Sequence, residues 1–246
     1  MKGTRDVQVI PWQGEEQIVV ATDASGGVGE KAKDHVHVPY EVVSYYAARV
    51  ALLECMSVGA TPFTFLVQNF SGDEPYQKMI DGINRALGEA NQAQATIAGS
   101  TESNMVLEQS CLGVTVIGRV HQSALKIGIT PKDAGIALLG KPLVGEEVVS
   151  QEKDVFPLKQ FDELLQEEGV YEIIPVGSKG VKYELGVLAA TNEWNTLQVP
   201  LNGNVDLTKS SGPATSLLIT FDGTMEALLK AKYSSWWTTL ASKIST

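Results

Sequence analysis

The stretch that most constrains this chain is residues 18–34, IVVATDASGGVGEKAKD. Its first four residues are apolar and mostly β-branched, which predicts a buried strand that ends on Asp23. Glycines follow at positions 26, 27 and 29, and then come two lysines and a second acid, Asp34. A flexible loop between two acids is therefore predicted directly after the strand.

This order of residue types is what a metal-bound polyphosphate needs. Carboxylates hold Mg²⁺, glycines let backbone N–H groups approach phosphate oxygens, and lysines neutralise those oxygens. The alternative is a solvated turn after a strand, and this stretch alone does not decide between the two. The residues that would bind the nucleotide here are Asp23, Gly26, Gly27, Gly29 and Lys31 or Lys33, with Asp34 as a further metal ligand or catalytic acid.

Composition narrows the class of protein. The chain has 246 residues, 43% of them hydrophobic and 20% charged, which is typical of one large or two modest globular domains. Its net charge of −10 argues against a nucleic-acid partner. No run of 18 apolar residues and no signal peptide is present, so we expect no membrane association. Two cysteines in apolar surroundings favour a reducing, cytoplasmic location.

A long helix carries the next candidate. Pro39 is predicted to open a helix that runs to about Val58, because proline is common at the first helical position. Its expected apolar stripe consists of Val42, Val43, Tyr46, Ala47, Val50 and Leu53. Glu54 falls on or beside that stripe, so its carboxylate must be paired, bound to a metal or placed at the edge of the buried face.

A second polar loop is predicted after a short strand at residues 94–98. It contains Gly99, Ser100, Thr101 and Glu102, and a strand at residues 112–120 follows it. The pattern pauses at residues 121–132, where we place the boundary between domains 1–125 and 126–246. Strands and helices alternate loosely in both halves, which predicts an α/β or α+β fold. In the second half, polar loops at 177–180 and 202–204 are candidates for an acceptor pocket.

Three segments occur in an order that resembles one known family. They are ATDASGGVGEKAKD at 21–34, LLECMSVGATP at 52–62 and IAGSTESNM at 97–105, ahead of LGVTVIGRV. The aminoimidazole ribonucleotide synthetase (PurM-like) superfamily has a similar T-D and glycine loop. It continues with a helix ending in an acid before M-G-A-x-P, and with a G-G-[acid]-T loop. The resemblance covers the first half well and the second half in outline.

The resemblance implies a PurM-like two-domain fold. In it, an N-terminal mixed sheet with helices forms a dimeric barrel, and an α/β domain follows. It also implies ATP and Mg²⁺ as cofactors, a small-molecule acceptor and a homodimer. By position, Asp6, Asp23, Asp34 and Glu54 resemble metal-site acids, and Gly99, Ser100 and Thr101 resemble the G-[acid]-T loop. Ser100 stands where the family usually has an acid, and Glu102 is the nearest substitute.

The reaction implied is attack on the γ-phosphate of ATP, which depends mostly on positioning and charge neutralisation. The leading hypothesis is a small-molecule kinase with a nucleoside-like acceptor, α-ribazole being the best guess, and with Glu102 as the base if one exists. The alternatives are an ATP-dependent cyclo-ligase and a nucleotide-binding regulatory protein without turnover. The serine at position 100 favours the regulatory alternative.

Overall fold

The computed structural model describes residues 5–194 and 205–244. The chain divides into two compact units. Residues 6–124 form the first, here called the N-terminal unit. Residues from Leu125 onwards, together with Arg5, form the second, here called the C-terminal unit. The division lies one residue from the boundary that the sequence predicts after residue 125.

The N-terminal unit contains a five-stranded sheet and two long helices. Its elements are β1 (Val7–Pro11), β2 (Glu16–Gly26), β3 (Val28–Gly29), β4 (Val36–His37), α1 (Tyr40–Ser57), β5 (Thr61–Asn69), α2 (Tyr76–Glu89), β6 (Thr96–Thr101) and β7 (Cys111–His121). The strand order in the large sheet is β1-β2-β7-β5-β6. Within this sheet, β5 and β6 form the one parallel pair, because α2 forms the crossover between them. The short strands β3 and β4 pair within the glycine loop.

Two strands extend beyond their predicted ends. The prediction that the second strand ends on Asp23 is wrong, since β2 pairs with β7 without interruption from Glu16 to Gly26. The prediction that Gly99–Thr101 is loop is also wrong, since these residues pair with Val67–Asn69 of β5. In both cases the ladder of hydrogen bonds to a neighbouring strand outweighs the weak strand propensity of glycine and serine.

Helix α1 matches its predicted span but not its predicted stripe. Val42, Tyr46 and Val50 are only half-buried, whereas polar and charged side chains including Arg49 and Glu54 are buried. The helix is enclosed on most sides, so a single apolar face is not required of its sequence. Within the described ranges, no helix is both long enough and apolar enough to cross a membrane.

The two faces of the large sheet differ. Along β7, Val114, Val116 and Gly118 are buried, and a Cβ added at Gly118 would lie 2.6 Å from the Cys55 sulfur of α1. The helices therefore cover this face. The alternate positions point the other way, and there Val20, Leu66 and Ile117 remain half-exposed.

The C-terminal unit is built on a four-stranded antiparallel sheet of order β11-β8-β10-β9. Its elements are β8 (Gly135–Leu139), α3 (Glu146–Ser150), α4 (Phe161–Leu165), β9 (Val170–Pro175), α5 (Gly180–Thr191), β10 (Leu217–Phe221), α6 (Glu226–Lys232) and β11 (Trp237–Ala241). The helix predicted over 158–168 is shorter, because a 3-10 turn occupies Leu158–Gln160. Trp236 and Trp237 pack on Phe156 and Phe221, respectively.

A buried carboxylate organises the start of the C-terminal unit. Glu172 is fully buried and accepts hydrogen bonds from the backbone amides of Gly128, Ile129 and Thr130 at 3.1–3.2 Å. The Thr130 hydroxyl and the Asn192 amide donate to it at 2.6 and 2.7 Å. Arg5 Nη1 lies 4.0 Å from the same carboxylate. The carboxylate thus accepts hydrogen bonds from N–H and O–H groups of the loop that would otherwise be buried without a partner.

We expect Glu172→Gln to destabilise the protein by about 3 kcal/mol, because it removes a buried charge and turns one acceptor oxygen into a donor. Urea unfolding would measure this loss. Glu168→Gln, at an exposed position four residues earlier, is the matched control and should change stability by less than about 0.5 kcal/mol. Equal stabilities for the two variants would contradict the role given to Glu172.

The half-exposed apolar face of the large sheet generates a second prediction. We propose that a second copy of the chain covers it, because a sheet with one uncovered apolar face gains stability by packing against another layer. Light scattering at micromolar concentration should return twice the monomer mass. Leu66→Glu should shift the mass to that of the monomer, whereas Asn84→Glu, at an exposed position on α2, should not. A monomeric wild-type protein would contradict the proposal.

Candidate functional site

Most of the predicted site residues lie at one end of the large sheet. Ser25, Leu112, Asn69 and Thr101 form a continuous row across β2, β7, β5 and β6. Strands β2, β5 and β6 end just beyond this row and β7 begins there. The glycine loop, the segment before α2 and the segment of residues 102–110 therefore meet at this end.

Asp23 lies two residue pairs before that row and faces the helices, since it alternates with buried Val19 and Ala21. Burial raises the pKa of its carboxyl to about 6, and a hydrogen bond from the Ala24 amide only partly offsets this. A carboxylate that is desolvated in this way is stabilised by a cation. Asp23 is thus the predicted acid whose environment best fits a metal ion.

The glycine loop wraps around Ser110, a residue that the sequence analysis did not identify. Gly27 has a φ of 69°, and its amide donates to the Ser110 carbonyl at 2.8 Å. A Cβ added at Gly29 would lie 2.4 Å from Ser110 Oγ. Both glycines are needed for this close packing. Gly26, at the exposed end of β2, pairs with Cys111 instead.

Asp34 holds the same loop from the other side. Its buried carboxylate accepts hydrogen bonds from the Ser110 hydroxyl at 2.6 Å, the Ser110 amide at 2.7 Å and the Lys31 amide at 2.9 Å. Burial alone would raise the pKa of Asp34, but these hydrogen bonds outweigh it and hold the pKa below its ordinary value. In this arrangement Asp34 fixes the loop, and its metal and catalytic roles stay predictions.

The lysines of the loop also contact the segment 102–110. Lys31 Nζ donates to the Leu107 carbonyl at 2.7 Å, and exposed Lys33 pairs with Glu108 at 2.6 Å. The ammonium group that was predicted to neutralise phosphate therefore binds a backbone oxygen in this conformation. Its predicted role requires Lys31 to exchange this contact for a phosphate oxygen.

The residues at the end of β6 have separate surroundings. A Cβ at Gly99 would lie 2.6 Å from the Val67 carbonyl and 3.1 Å from the Tyr76 hydroxyl, so only glycine fits. Thr101 Oγ1 accepts a hydrogen bond from Asn69 at 3.2 Å. Ser100 pairs with Gln68, one residue further along than Gly99, and so points to the opposite face of the sheet from Asp23.

Glu102 is bound by its own loop. Its Oε1 accepts hydrogen bonds from the backbone amides of Asn104 at 2.7 Å and Met105 at 3.0 Å. These hydrogen bonds lower the pKa of Glu102. A lower pKa makes a carboxylate a weaker base, so this environment does not assist the proton transfer that was predicted for Glu102.

The remaining predicted metal ligands are spread out. Glu54 is buried in α1, and exposed Asp6 precedes Val7, which pairs with Ala21 beside the Asp23 segment. Across residues 5–194 and 205–244, no three or more His, Cys, Asp or Glu side chains are grouped closely enough to hold a metal. Mg²⁺ in phosphoryl-transfer sites is commonly held by one or two carboxylates plus phosphates. A single carboxylate such as that of Asp23 is enough for this smaller requirement.

A cavity of about 390 Å³ opens at this same end of the sheet. No local sequence pattern marks this cavity, because its walls come from segments that are distant in the chain. It is lined by Glu30, Lys31, Tyr40, Ser71, Gly72, Asp73, Glu74, Pro75 and Lys78.

The acceptor loops predicted in the second half are only partly described. In the 177–180 loop, the Gly180 amide donates to the Gly177 carbonyl at 3.2 Å, and the Ser211 amide donates to the same oxygen at 3.1 Å. The loop is therefore an internally bonded turn that begins α5. The 202–204 loop lies outside the described residues.

Comparisons with known proteins identify the fold. No protein-family model matches the sequence, and no curated protein matches it. Among solved structures, AaThiL complexed with AMPPCP and TMP matches with a TM-score of 0.64 and 13% identity, over 98% of this chain and 84% of that chain. Thiamine-monophosphate kinase from Stenotrophomonas maltophilia K279a matches with a TM-score of 0.64 and 15% identity, over 98% and 89%.

A third match is the HypE–HypF complex, with a TM-score of 0.61 and 14% identity, over 93% of this chain and 84% of the matched chain. Identities this low establish the fold alone. The mixed α/β, PurM-like fold predicted from the sequence is confirmed.

The environment of Asp23 makes a pH-dependent prediction. Because its folded-state pKa is raised above that of the unfolded chain, its ionisation destabilises the folded protein as pH rises from about 4 through 6. At pH 7.5, Asp23→Asn should therefore be more stable than wild type by up to about 3 kcal/mol, and at pH 4 the two should be nearly equal. Urea unfolding at both pH values measures this difference.

Asp81→Asn is the matched control, since Asp81 is an exposed acid on α2 of the same unit. It should leave stability nearly unchanged at both pH values. A loss of stability in Asp23→Asn at pH 7.5 would mean that the Asp23 carboxylate makes stabilising contacts within the protein.

Proposed function

We propose that this protein is an ATP- and Mg²⁺-dependent phosphotransferase that acts on a hydroxyl of a small, nucleoside-like acceptor. The observation that carries the proposal is Asp23, a desolvated carboxylate with a pKa near 6 at the loop-bearing end of the sheet. The fold supports it, because a structure that matches 98% of this chain was solved with AMPPCP, an unreactive analogue of ATP.

In phosphoryl transfer, the side chains mainly position the two substrates and the metal ion. The bond between the γ-phosphorus and the bridging oxygen of ATP breaks, ADP leaves with the electron pair, and the acceptor oxygen bonds to phosphorus as its proton passes to a base or to water. Bound Mg²⁺ would neutralise the phosphate oxygens. Asp23 would hold it, while Ser110 and Asp34 keep the glycine loop in a fixed conformation.

The finer assignment is the acceptor. We propose α-ribazole as the leading candidate, and this choice rests on the resemblance of the sequence to compact kinase members of the superfamily. Under the proposal, Lys31 would move from the Leu107 carbonyl to a phosphate oxygen when the nucleotide binds.

A second candidate function is nucleotide binding without turnover. One observation favours it: Ser100 stands where the family usually has an acid. A protein of this kind would bind Mg-ATP through Asp23 but form no ADP.

Calorimetry tests the nucleotide site. We expect wild type to bind Mg-ATP and Asp23→Asn to bind it at least tenfold more weakly, a loss of about 1.4 kcal/mol. Asp81→Asn should bind as wild type does. Unchanged affinity in Asp23→Asn would show that the site has been placed wrongly.

Turnover is measured separately, by incubating the protein with Mg-ATP and α-ribazole and analysing the products by mass spectrometry. Formation of α-ribazole 5′-phosphate together with ADP is expected. ADP without a phosphorylated acceptor would rule out α-ribazole and keep the nucleotide site. Binding of Mg-ATP with no ADP from any nucleoside would favour the regulatory candidate.

A further inference from the structure

The 390 Å³ cavity of the N-terminal unit shares Lys31 with the proposed nucleotide site, but its other lining residues have no role in that site. It lies between the glycine loop, the first residue of α1 and the segment that joins β5 to α2. Its volume falls within the roughly 300–1,000 Å³ typical of small-molecule sites. The chemistry of its walls therefore decides which ligand it can accept.

The walls are held in place by hydrogen bonds. The Ser71 hydroxyl donates to the Cys111 carbonyl at 3.2 Å and accepts from the Cys111 amide at 3.0 Å. The Asn69 side chain donates to the Gly72 carbonyl at 2.6 Å and accepts from the Ser71 amide at 2.9 Å. The Tyr40 hydroxyl is bonded to Ser110 Oγ at 2.9 Å. The cavity is therefore formed before any ligand binds.

The two lysines that line the cavity, Lys31 and Lys78, already bind oxygen atoms of the protein. Lys78 Nζ bonds both carboxylate oxygens of Glu30, at 3.0 and 3.2 Å, and Lys31 Nζ donates to the Leu107 carbonyl. The Lys78 contact lowers the pKa of Glu30 and raises that of Lys78, so both groups stay charged and paired near neutral pH. Neither lysine is oriented toward an incoming anion.

The remaining charged groups on the lining are carboxylates. Asp73 and Glu74 lie exposed at the rim, and Asp73 accepts a hydrogen bond from the Ser103 hydroxyl at 2.6 Å. A carboxylate has room for about four hydrogen bonds, so both retain acceptor capacity. With three acids against two lysines, the lining carries net negative charge. Such a rim repels a phosphate and accepts hydroxyl or amino donors.

We propose that this cavity binds the ribose hydroxyls of the acceptor in its uncharged, unphosphorylated form, an inference that rests on the proposed kinase function. Asp73 and Glu74 accept hydrogen bonds from the sugar, and the Glu30–Lys78 pair forms the opposite wall. The same carboxylates disfavour a nucleoside that already carries a phosphate. The site therefore separates the acceptor from its phosphorylated product by charge.

The test is calorimetry with α-ribazole and with adenosine as a second neutral nucleoside, each titrated into the full chain saturated with Mg-AMPPCP. Saturation keeps either probe out of the nucleotide site. We expect at least one nucleoside to bind, and its 5′-phosphate to bind at least tenfold more weakly. The double variant Asp73→Asn/Glu74→Gln should weaken nucleoside binding at least tenfold and reduce the discrimination against the phosphate.

Asp81→Asn removes one charge from α2 outside the cavity and should bind both nucleosides as wild type does. Equal nucleoside affinity in the double variant and wild type, or no binding of either nucleoside to wild type, would overturn the assignment. If Mg-AMPPCP itself does not bind, the proposed function fails. The same titrations into the apo protein then still decide whether the cavity is a nucleoside site.

Discussion

The interaction on which the N-terminal unit depends is the set of hydrogen bonds between Asp34 and Ser110. One buried carboxylate takes the amide and the hydroxyl of a residue 76 positions away, and so ties the glycine loop to the start of β7. The missing side chain at Gly29 leaves room for Ser110, and Gly27 supplies the positive φ that turns the loop. The loop is consequently ordered, and some of its backbone N–H groups already donate hydrogen bonds within the protein. A ligand would therefore bind to a surface that is already formed.

Environment, and not residue type, separates the acids at this end of the sheet. Asp34 and Glu102 accept several protein N–H or O–H groups, which lowers the pKa of both carboxyls. Asp23 is desolvated with little compensation, which raises its pKa. A carboxylate of the first kind stabilises the fold, whereas one of the second kind lowers stability unless a cation binds. Residues whose surroundings lower the stability of the folded protein in this way are typical of functional sites.

Much of the fold could be predicted because it follows local patterns. Pro39 and Gly59 bracket α1, and alternation identifies β7. The predictions that were wrong concern features that depend on contacts with residues distant in the sequence. The extension of β2 past Asp23 needs its pairing with β7, and the burial of Arg49 and Glu54 needs the surroundings of α1. Ser110 and Lys78 could not be found because their importance lies in contacts with residues 34 and 30. Nothing in their own neighbourhood marks them.

The use of the lysines bears on how phosphate charge would be neutralised. Lys31, Lys33 and Lys78 are bound to a carbonyl or to carboxylates in this conformation. In a chain of net charge −10, a polyphosphate would meet repulsion unless another cation accompanied it. Under the proposed function, a divalent ion held by Asp23 and by the phosphates would supply most of that charge, while Lys33 and Lys78 keep their contacts and Lys31 alone exchanges its carbonyl partner for a phosphate oxygen. Under the proposed function, the dependence on Mg²⁺ therefore follows from the way the fold uses its own lysines.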